Sequence, residues 1–548
     1  MPTVAQHVAH ALAHHVDHVF GVMGNGNAYL LDALLTETDA TYTAVRHEAG
    51  AVVAADAHFR VSRRIACATT TYGAGFTNAL TALAEAAMAR VPLVLVVGDE
   101  PTSGARPWDV DQIALASGVG VRTYTVGRLD AVATTTLAIE HALAKRLPVV
   151  LALPYDVPTR DAGELPSPLP DVAVPQASLP DEATRTAIAR AAAALRGAER
   201  PVLIGGRGAW LADASEALGA LAERTGAVTA STTLGRGVFP DAAHDLGVTG
   251  GFGAPGAMEL IRTADIAIVV GASLNQFTMR FGGLFAPETH VVQVDTAPSA
   301  THPRVNAYLR GDARAVTELL VEALGDAHGP GWRDTIDAAE LRAQVVGAEF
   351  ADDGRLDPRA AAARLGELLP ETRVVVSDGG HFIGWANMFW PVASPGRMAM
   401  VGTAYQSIGL GFPSVAGAAA ADPEATIVLT TGDGGGLMAL ADLETAVRTA
   451  RGRGICVVWN DAAYGAEVNL YGVFGLNQEP MRIPGVDFAA LGAAAGAEAV
   501  TVTSLADLDR VAEWAATPVD ERKFLMLDLR ISGAVVAPYQ EEIIRVNS

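Results

Sequence analysis

The sequence predicts an α/β protein of three doubly wound parallel-sheet domains, and three observations carry that prediction. Short aliphatic runs of four to eight residues recur along the chain and stop at Gly, Asp or Pro. Ala-rich stretches with helical spacing, such as 187–195, lie between them. Two polar breaks divide the 548 residues into pieces of domain size, since a domain takes about 100–200 residues. Buried strands alternating with helices imply βαβ units and sheets covered on both faces.

Taken in order, 91–98 and 148–153 read as strands of the first domain, placed at 1–165. The stretch 158–180 holds six prolines and no periodic pattern, so it reads as an extended linker. Runs 201–205, 265–271 and 291–295 supply strands of a second domain, 183–330. Charged residues around 352–357 mark the second break. Runs 374–378, 426–431, 455–459 and 524–528 then build a third domain, 355–548.

The net charge of −22 argues against a nucleic-acid or anionic-membrane surface. Cys67 and Cys456 are the two cysteines, and both sit among apolar neighbours, as small core residues of a reducing compartment do. The first 22 residues carry five histidines but no basic segment leading into an apolar core. No signal peptide, no membrane span and a cytoplasmic location are therefore expected.

The chemistry concentrates in the third domain. The run 426–431 leads into Gly432-Asp433-Gly434-Gly435-Gly436, with a helical pattern from Leu437. The next strand ends in Asn460-Asp461, and twenty-five residues separate Gly434 from Asn460. That length suits one crossover helix, which puts Asp433 and Asp461 together at the carboxyl edge of neighbouring strands, where open α/β sheets bind ligands. Magnesium takes one or two carboxylates plus phosphate oxygens. Glycines at a helix start let backbone N–H groups approach a diphosphate. A bare Gly-Asp-Gly is also a common tight turn; the following strand and its Asn-Asp pair favour the metal reading.

This segment resembles the thiamine-diphosphate motif, and the first domain resembles the acetolactate synthase and 2-oxo-acid decarboxylase group of that family. The matching stretches are Val19-Phe20-Gly21-Val22-Met23-Gly24, Arg46-His47-Glu48-Ala49-Gly50-Ala51 and Thr69-Thr70-Thr71-Tyr72-Gly73-Ala74-Gly75-Phe76-Thr77-Asn78. The resemblance implies thiamine diphosphate and Mg2+ as cofactors. It names the three domains pyrimidine-binding, central Rossmann-like and diphosphate-binding. It assigns Asp433, Asp461 and the carbonyl of Ala463 to the metal, and Gly432, Gly434 and Gly435 to the diphosphate cradle. Glu48 would hydrogen-bond the pyrimidine N1′ and favour the tautomer whose N4′ takes the thiazolium proton. Tyr72 and Asn78 would lie beside the pyrimidine, and Gly380 and His381, after the 374–378 strand, at the diphosphate. In Ser407-Ile408-Gly409-Leu410-Gly411-Phe412-Pro413, Ile408 takes the place of the residue that keeps the two cofactor rings bent.

The substrate-facing positions depart from the acetolactate synthase pattern. Asn25 replaces a glycine in the first loop. Pro107-Trp108-Asp109-Val110-Asp111 stands where Phe-Gln-Glu would be, and Leu470 stands at a tryptophan position. Glu467, six residues after Asp461, matches the spacing of a proton-handling glutamate in pyruvate-decarboxylase-type enzymes. The expected catalytic residues are Glu48, Glu467 and Asn25. The expected reaction is decarboxylation of a 2-oxo acid with transfer of the acyl-anion equivalent to an aldehyde or ketone. The alternatives are plain decarboxylation to an aldehyde and a non-catalytic cofactor-binding subunit. Acetolactate synthases bind FAD in the central domain; Gly205-Gly206-Arg207-Gly208 is too loose a nucleotide fingerprint, so a structural domain is favoured, with Arg280 and Asp295 the residues that would touch a nucleotide. The family's sites lie between chains, which implies a homodimer or homotetramer.

Overall fold

A computed structural model describes residues 1–173, 180–326, 329 and 331–547. It contains three six-stranded sheets. The first comprises β1 (His18–Gly21), β2 (Thr41–Ala44), β3 (Cys67–Thr70), β4 (Val94–Asp99), β5 (Arg122–Thr125) and β6 (Val149–Pro154), in the order β2-β1-β3-β4-β6-β5. The second comprises β7 (Pro201–Gly205), β8 (Val228–Ser231), β9 (Asp245–Val248), β10 (Ile266–Val270), β11 (His290–Asp295) and β12 (Ala307–Arg310), ordered β12-β11-β10-β7-β8-β9. The third comprises β13 (Arg373–Ser377), β14 (Met398–Met400), β15 (Thr426–Gly432), β16 (Gly454–Asn460), β17 (Glu498–Val502) and β18 (Leu525–Arg530), ordered β14-β13-β15-β16-β18-β17.

Every pairing between these strands is parallel. Helices cover both faces of each sheet, as the alternation of strand and helix patterns predicts. Central strands such as β4, β6, β15 and β16 are buried at every position, which is why they are aliphatic without alternation. The N- and C-terminal domains meet through helices Glu48–Ser62 and Gly411–Ala421. Small residues permit that approach: a Cβ on Gly417 would overlap the carbonyl of Ala54.

Of the proline-rich stretch 158–180, residues 174–179 lie outside the described residues, as do position 330, where the second domain was expected to end, and Ser548. Cys67 and Cys456 are both free and buried. Among the described residues no helix is long and apolar enough to cross a membrane.

Candidate active site

β15 and β16 are parallel neighbours, with Gly432 opposite Trp459. Asp433 and Asp461 therefore emerge one step beyond adjacent strand ends. The helix that follows β15 begins at Asp433, not at Leu437: Gly432 is its N-cap and the glycines themselves form its first turn. Tertiary packing overrides glycine's poor helix propensity here.

Asp433 is buried. Its Oδ1 accepts from the Gly434 N–H at 3.0 Å, and its Oδ2 is buried with no partner. Burial, and then the charge of Asp461, push its pKa up to about 7. Burial raises Asp461 to about 6. The backbone N–H of Ala463 partly offsets both shifts. Two crowded, desolvated carboxylates with an orphan oxygen suit a divalent cation, which favours their charged forms. Among the described residues no three His, Cys, Asp or Glu side chains gather to hold a metal unaided, so other oxygens must complete such a site. Asn460 points elsewhere: its amide donates to the Val486 carbonyl and to Asp528. The pair Asn460-Asp461 thus divides into an anchor and a site carboxylate.

The glycines are required by what surrounds them. A Cβ on Gly432 would lie 2.9 Å from Phe382, on Gly434 2.7 Å from Tyr464, and on Gly435 2.8 Å from Asp378 Oδ2. Asp378, fully buried, is a hub that sequence reasoning missed. Its Oδ1 accepts from the N–H groups of Gly379, Gly409 and Leu410, and its Oδ2 from the Thr431 hydroxyl. It thereby ties the end of β13 to the Ile408 turn and to β15. Its signal was present: strand, Asp, Gly, Gly repeats the pattern at Asp433. Ile408 is half-buried, 3.1 Å from where a Gly379 Cβ would stand.

His381 is nearly buried, and burial lowers its pKa to about 4, so the ring is neutral near pH 7. Its Nε2 accepts from the Ala537 N–H at 3.3 Å. The proton then sits on Nδ1, leaving that N–H as the donor available to a ligand.

Gly380, His381, Ile408, Gly432 to Gly435, Asp433, Asp461, Ala463 and Glu467 all line one cleft of about 1970 Å³. Glu467 is exposed on the short helix Gly465–Leu470 at its wall. The cleft continues along the central domain past Asp295. There, the N–H groups of Gly206 and Gly208 donate to the carbonyls of Val270 and Gly271, so that turn does not offer them to a phosphate. Arg280 is engaged by Glu542 of the C-terminal helix.

The remaining expected residues form a second cluster that does not line this cleft. Glu48 opens helix Glu48–Ser62, and its Oε2 accepts from the Asn78 amide at 3.0 Å. The Gly26 N–H donates to Thr71 Oγ1 at 3.0 Å, which brings the loop carrying Asn25, itself exposed, against Thr71 and Tyr72. The Tyr72 ring also faces the Arg106 guanidinium at 4.1 Å.

A parallel sheet whose carboxyl edge carries paired carboxylates, a glycine cradle and a deep cleft belongs to an α/β enzyme that takes a phosphate-bearing cofactor. Comparison with known proteins specifies which kind. The chain matches the thiamine pyrophosphate enzyme N-terminal TPP binding domain over residues 2–117, the central domain over 188–320 and the C-terminal TPP binding domain over 378–529. It therefore belongs to the thiamine pyrophosphate enzyme family. It is 27% identical over 546 residues to the acetolactate synthase isozyme 3 large subunit of Escherichia coli (strain K12), covering 95% of this chain and 93% of that one. It is 29% identical over 441 residues to an acetolactate synthase of Mycobacterium bovis, covering 76% and 69%. It is also 29% identical over 452 residues to a probable acetolactate synthase large subunit of Methanocaldococcus jannaschii, covering 78% and 75%.

Proposed function

We propose that the protein is an acetolactate-synthase-like carboligase dependent on thiamine diphosphate and Mg2+. It decarboxylates a 2-oxo acid and passes the acyl-anion equivalent to an aldehyde or ketone. The observation that carries the reading is the pair Asp433 and Asp461, crowded at adjacent strand ends beside the glycine cradle, with one Asp433 oxygen left unpaired. Domain limits of 1–165, 183–330 and 355–548 follow from the same reading, with pyrimidine-binding, structural and diphosphate-binding roles. FAD is not assigned to the central domain, because the Gly206 and Gly208 N–H groups are already used by the sheet.

The residues divide the work as follows. Asp433, Asp461 and the Ala463 backbone would hold the metal, and Gly432 to Gly435, Gly380 and His381 the diphosphate. Ile408 limits the conformation of what binds above the cradle. Once bound, the cofactor supplies the stabilised carbanion chemistry. Glu48, held by Asn78 through one carboxylate oxygen, has the other free to hold a proton at the pyrimidine nitrogen. Glu467 and Asn25 face the substrate, with Glu467 moving the proton of the carbonyl or carbanion.

Glu48, Tyr72, Asn78 and Asn25 stand apart from the cleft of their own chain, so the complete site requires a second copy, in a homodimer or homotetramer. The exposed apolar side chains support this: Met23, Trp108, Val110 and Ile113 in the N-terminal domain, Met438, Tyr471, Val473 and Phe474 in the C-terminal one.

The test is to incubate the holoenzyme with a panel of 2-oxo acids and aldehydes and identify the products by mass spectrometry. A carboligation product is expected. The position of Glu467, six residues after Asp461 and exposed at the cleft wall, favours a second reading, non-oxidative decarboxylation. Aldehyde alone, even with abundant acceptor, would select that reading. Glu48→Gln should cut turnover by about 10²–10⁴-fold while the cofactor still binds; unchanged turnover would refute the mechanism.

A further inference from the structure

We infer that Glu85, together with Arg60, is a positioning residue for Ile408: a buried ion pair of the N-terminal domain sets the path of the 400–410 segment that carries Ile408 above the diphosphate cradle. The inference rests on the thiamine-diphosphate reading above for its effect on turnover, and on geometry alone for the contact.

Glu85 lies in helix Ala74–Met88 and is 0% exposed; Arg60, in the last turn of helix Glu48–Ser62, is 3% exposed. The Arg60 Nη2 donates to Glu85 Oε1 at 3.0 Å, and its Nε to Asp56, one helical turn back. Each partner then reaches into the C-terminal domain. Arg60 Nη1 donates to the Met400 carbonyl at 2.7 Å, and Glu85 Oε2 accepts from the Tyr405 N–H at 2.6 Å. The targets are main-chain groups of a segment that, after β14, has no helix or strand of its own until Gly411.

The far end of this segment is fixed by Asp378, which accepts from the N–H groups of Gly409 and Leu410. Its flanking side chains, Val401 and Leu410, sink into the apolar core of the N-terminal domain. Ile408 therefore hangs between two carboxylates: Asp378 on the cradle side and Glu85 on the N-terminal-domain side. Apolar packing alone is not directional. A charged acceptor in a dry interior fixes where a particular N–H must lie. A cofactor held in a reactive bend requires such positional control, because a displacement of about 1 Å costs on the order of 10²-fold in rate.

The test compares wild type, Glu85→Ala and Glu85→Gln in the full-length holoenzyme. Asp56 still neutralises Arg60 in both variants. A glutamine offers one acceptor oxygen where Arg60 and Tyr405 need two, so it is the milder lesion and the one that keeps the fold if alanine does not. Hydrogen–deuterium exchange of peptides spanning 400–410 should rise by about tenfold, with the rest of the third sheet unchanged. Turnover of the 2-oxo acid that the wild type uses best in the panel should fall by about tenfold or more in kcat in Glu85→Ala and less in Glu85→Gln, with little change in KM. The near-ultraviolet circular dichroism of bound thiamine diphosphate should change in parallel. Unchanged exchange in 400–410 overturns the inference, and so does a loss of kcat accompanied by uniform loss of exchange protection across the chain. A wild type that turns over no 2-oxo acid defeats the proposed function instead; the exchange measurement still decides whether Glu85 holds the segment.

Discussion

Asp433 and Asp461 meet at the edge of the third sheet, where burial raises the pKa of both and the charge of Asp461 raises that of Asp433 further. Such a pair suits a divalent cation, the role proposed for it above. Asp433→Ala should abolish the magnesium-dependent rise in unfolding temperature seen with thiamine diphosphate present. Asp461→Asn should keep part of it, because an amide oxygen remains a ligand. A full metal-dependent rise in Asp433→Ala would remove Asp433 from the site. Buried neutral histidines contribute to acid stability, His381 and His58 most. The His58 ring lies tilted against that of His18 at 5.1 Å, its Nε2 is buried without a partner, and burial depresses its pKa from 6.5 to about 4. Between those values the unfolded chain binds the proton more readily than the folded one. The contribution is thus fully present above pH 6.5 and lost as pH falls through about 4, amounting to roughly 3 kcal/mol. Urea titrations across that window should show stability falling with pH in the wild type and a shallower slope in His58→Gln; equal slopes would exclude His58.

At the level of elements, the helix pair Glu48–Ser62 and Gly411–Ala421 is the joint between the outer domains, and Gly417 sets its closeness. Gly417→Val should force the helices apart and cost roughly 1–3 kcal/mol, read as a lower urea midpoint; an unchanged midpoint would mean the joint tolerates the added side chain. The joint itself was not legible in the sequence, because nothing local announces that two Ala- and Gly-rich helices far apart in the chain will pack together. Central strands were legible: β4, β6, β7, β10, β11, β13, β15, β16 and β18 are predominantly aliphatic, with few polar interruptions such as Gln293 and Asp528, because both their faces are covered. The six edge strands β2, β5, β9, β12, β14 and β17 were not. Thr41–Ala44 and Arg122–Thr125, for example, are short, polar and partly exposed, and an edge is selected for such character. The interior strands β1, β3 and β8 were missed because His18, Cys67, Thr69, Thr70, Thr229 and Ser231 leave none of them an aliphatic run. The same division holds at the site. Asp433 and Asp461 were legible because strand, glycine and carboxylate are adjacent in sequence. The acceptors that arrange the site, Asp378 and Glu85, act on backbone groups 31 and 320 residues away, a relation that only the folded chain contains.

For the whole molecule, the separation of the two clusters makes a quantitative demand. Glu48 does not line the cleft that holds Asp433, although both belong to one chain. If each site combines Glu48 of one copy with Asp433 of another, Glu48→Gln and Asp433→Ala are both inactive as pure preparations but complement each other. In a mixed dimer one site receives both defects and the other receives none. Random reassociation of equal amounts makes half the dimers mixed, and half the sites in those are intact, so about a quarter of wild-type activity should return. The reassociation must be driven, by dilution or mild denaturant followed by reconcentration with cofactor, because a stable interface exchanges slowly. A site contained within one chain allows no recovery at any mixing ratio. Recovery that peaks at equal amounts, and vanishes when both substitutions are placed in the same chain, would establish that the two clusters meet between copies.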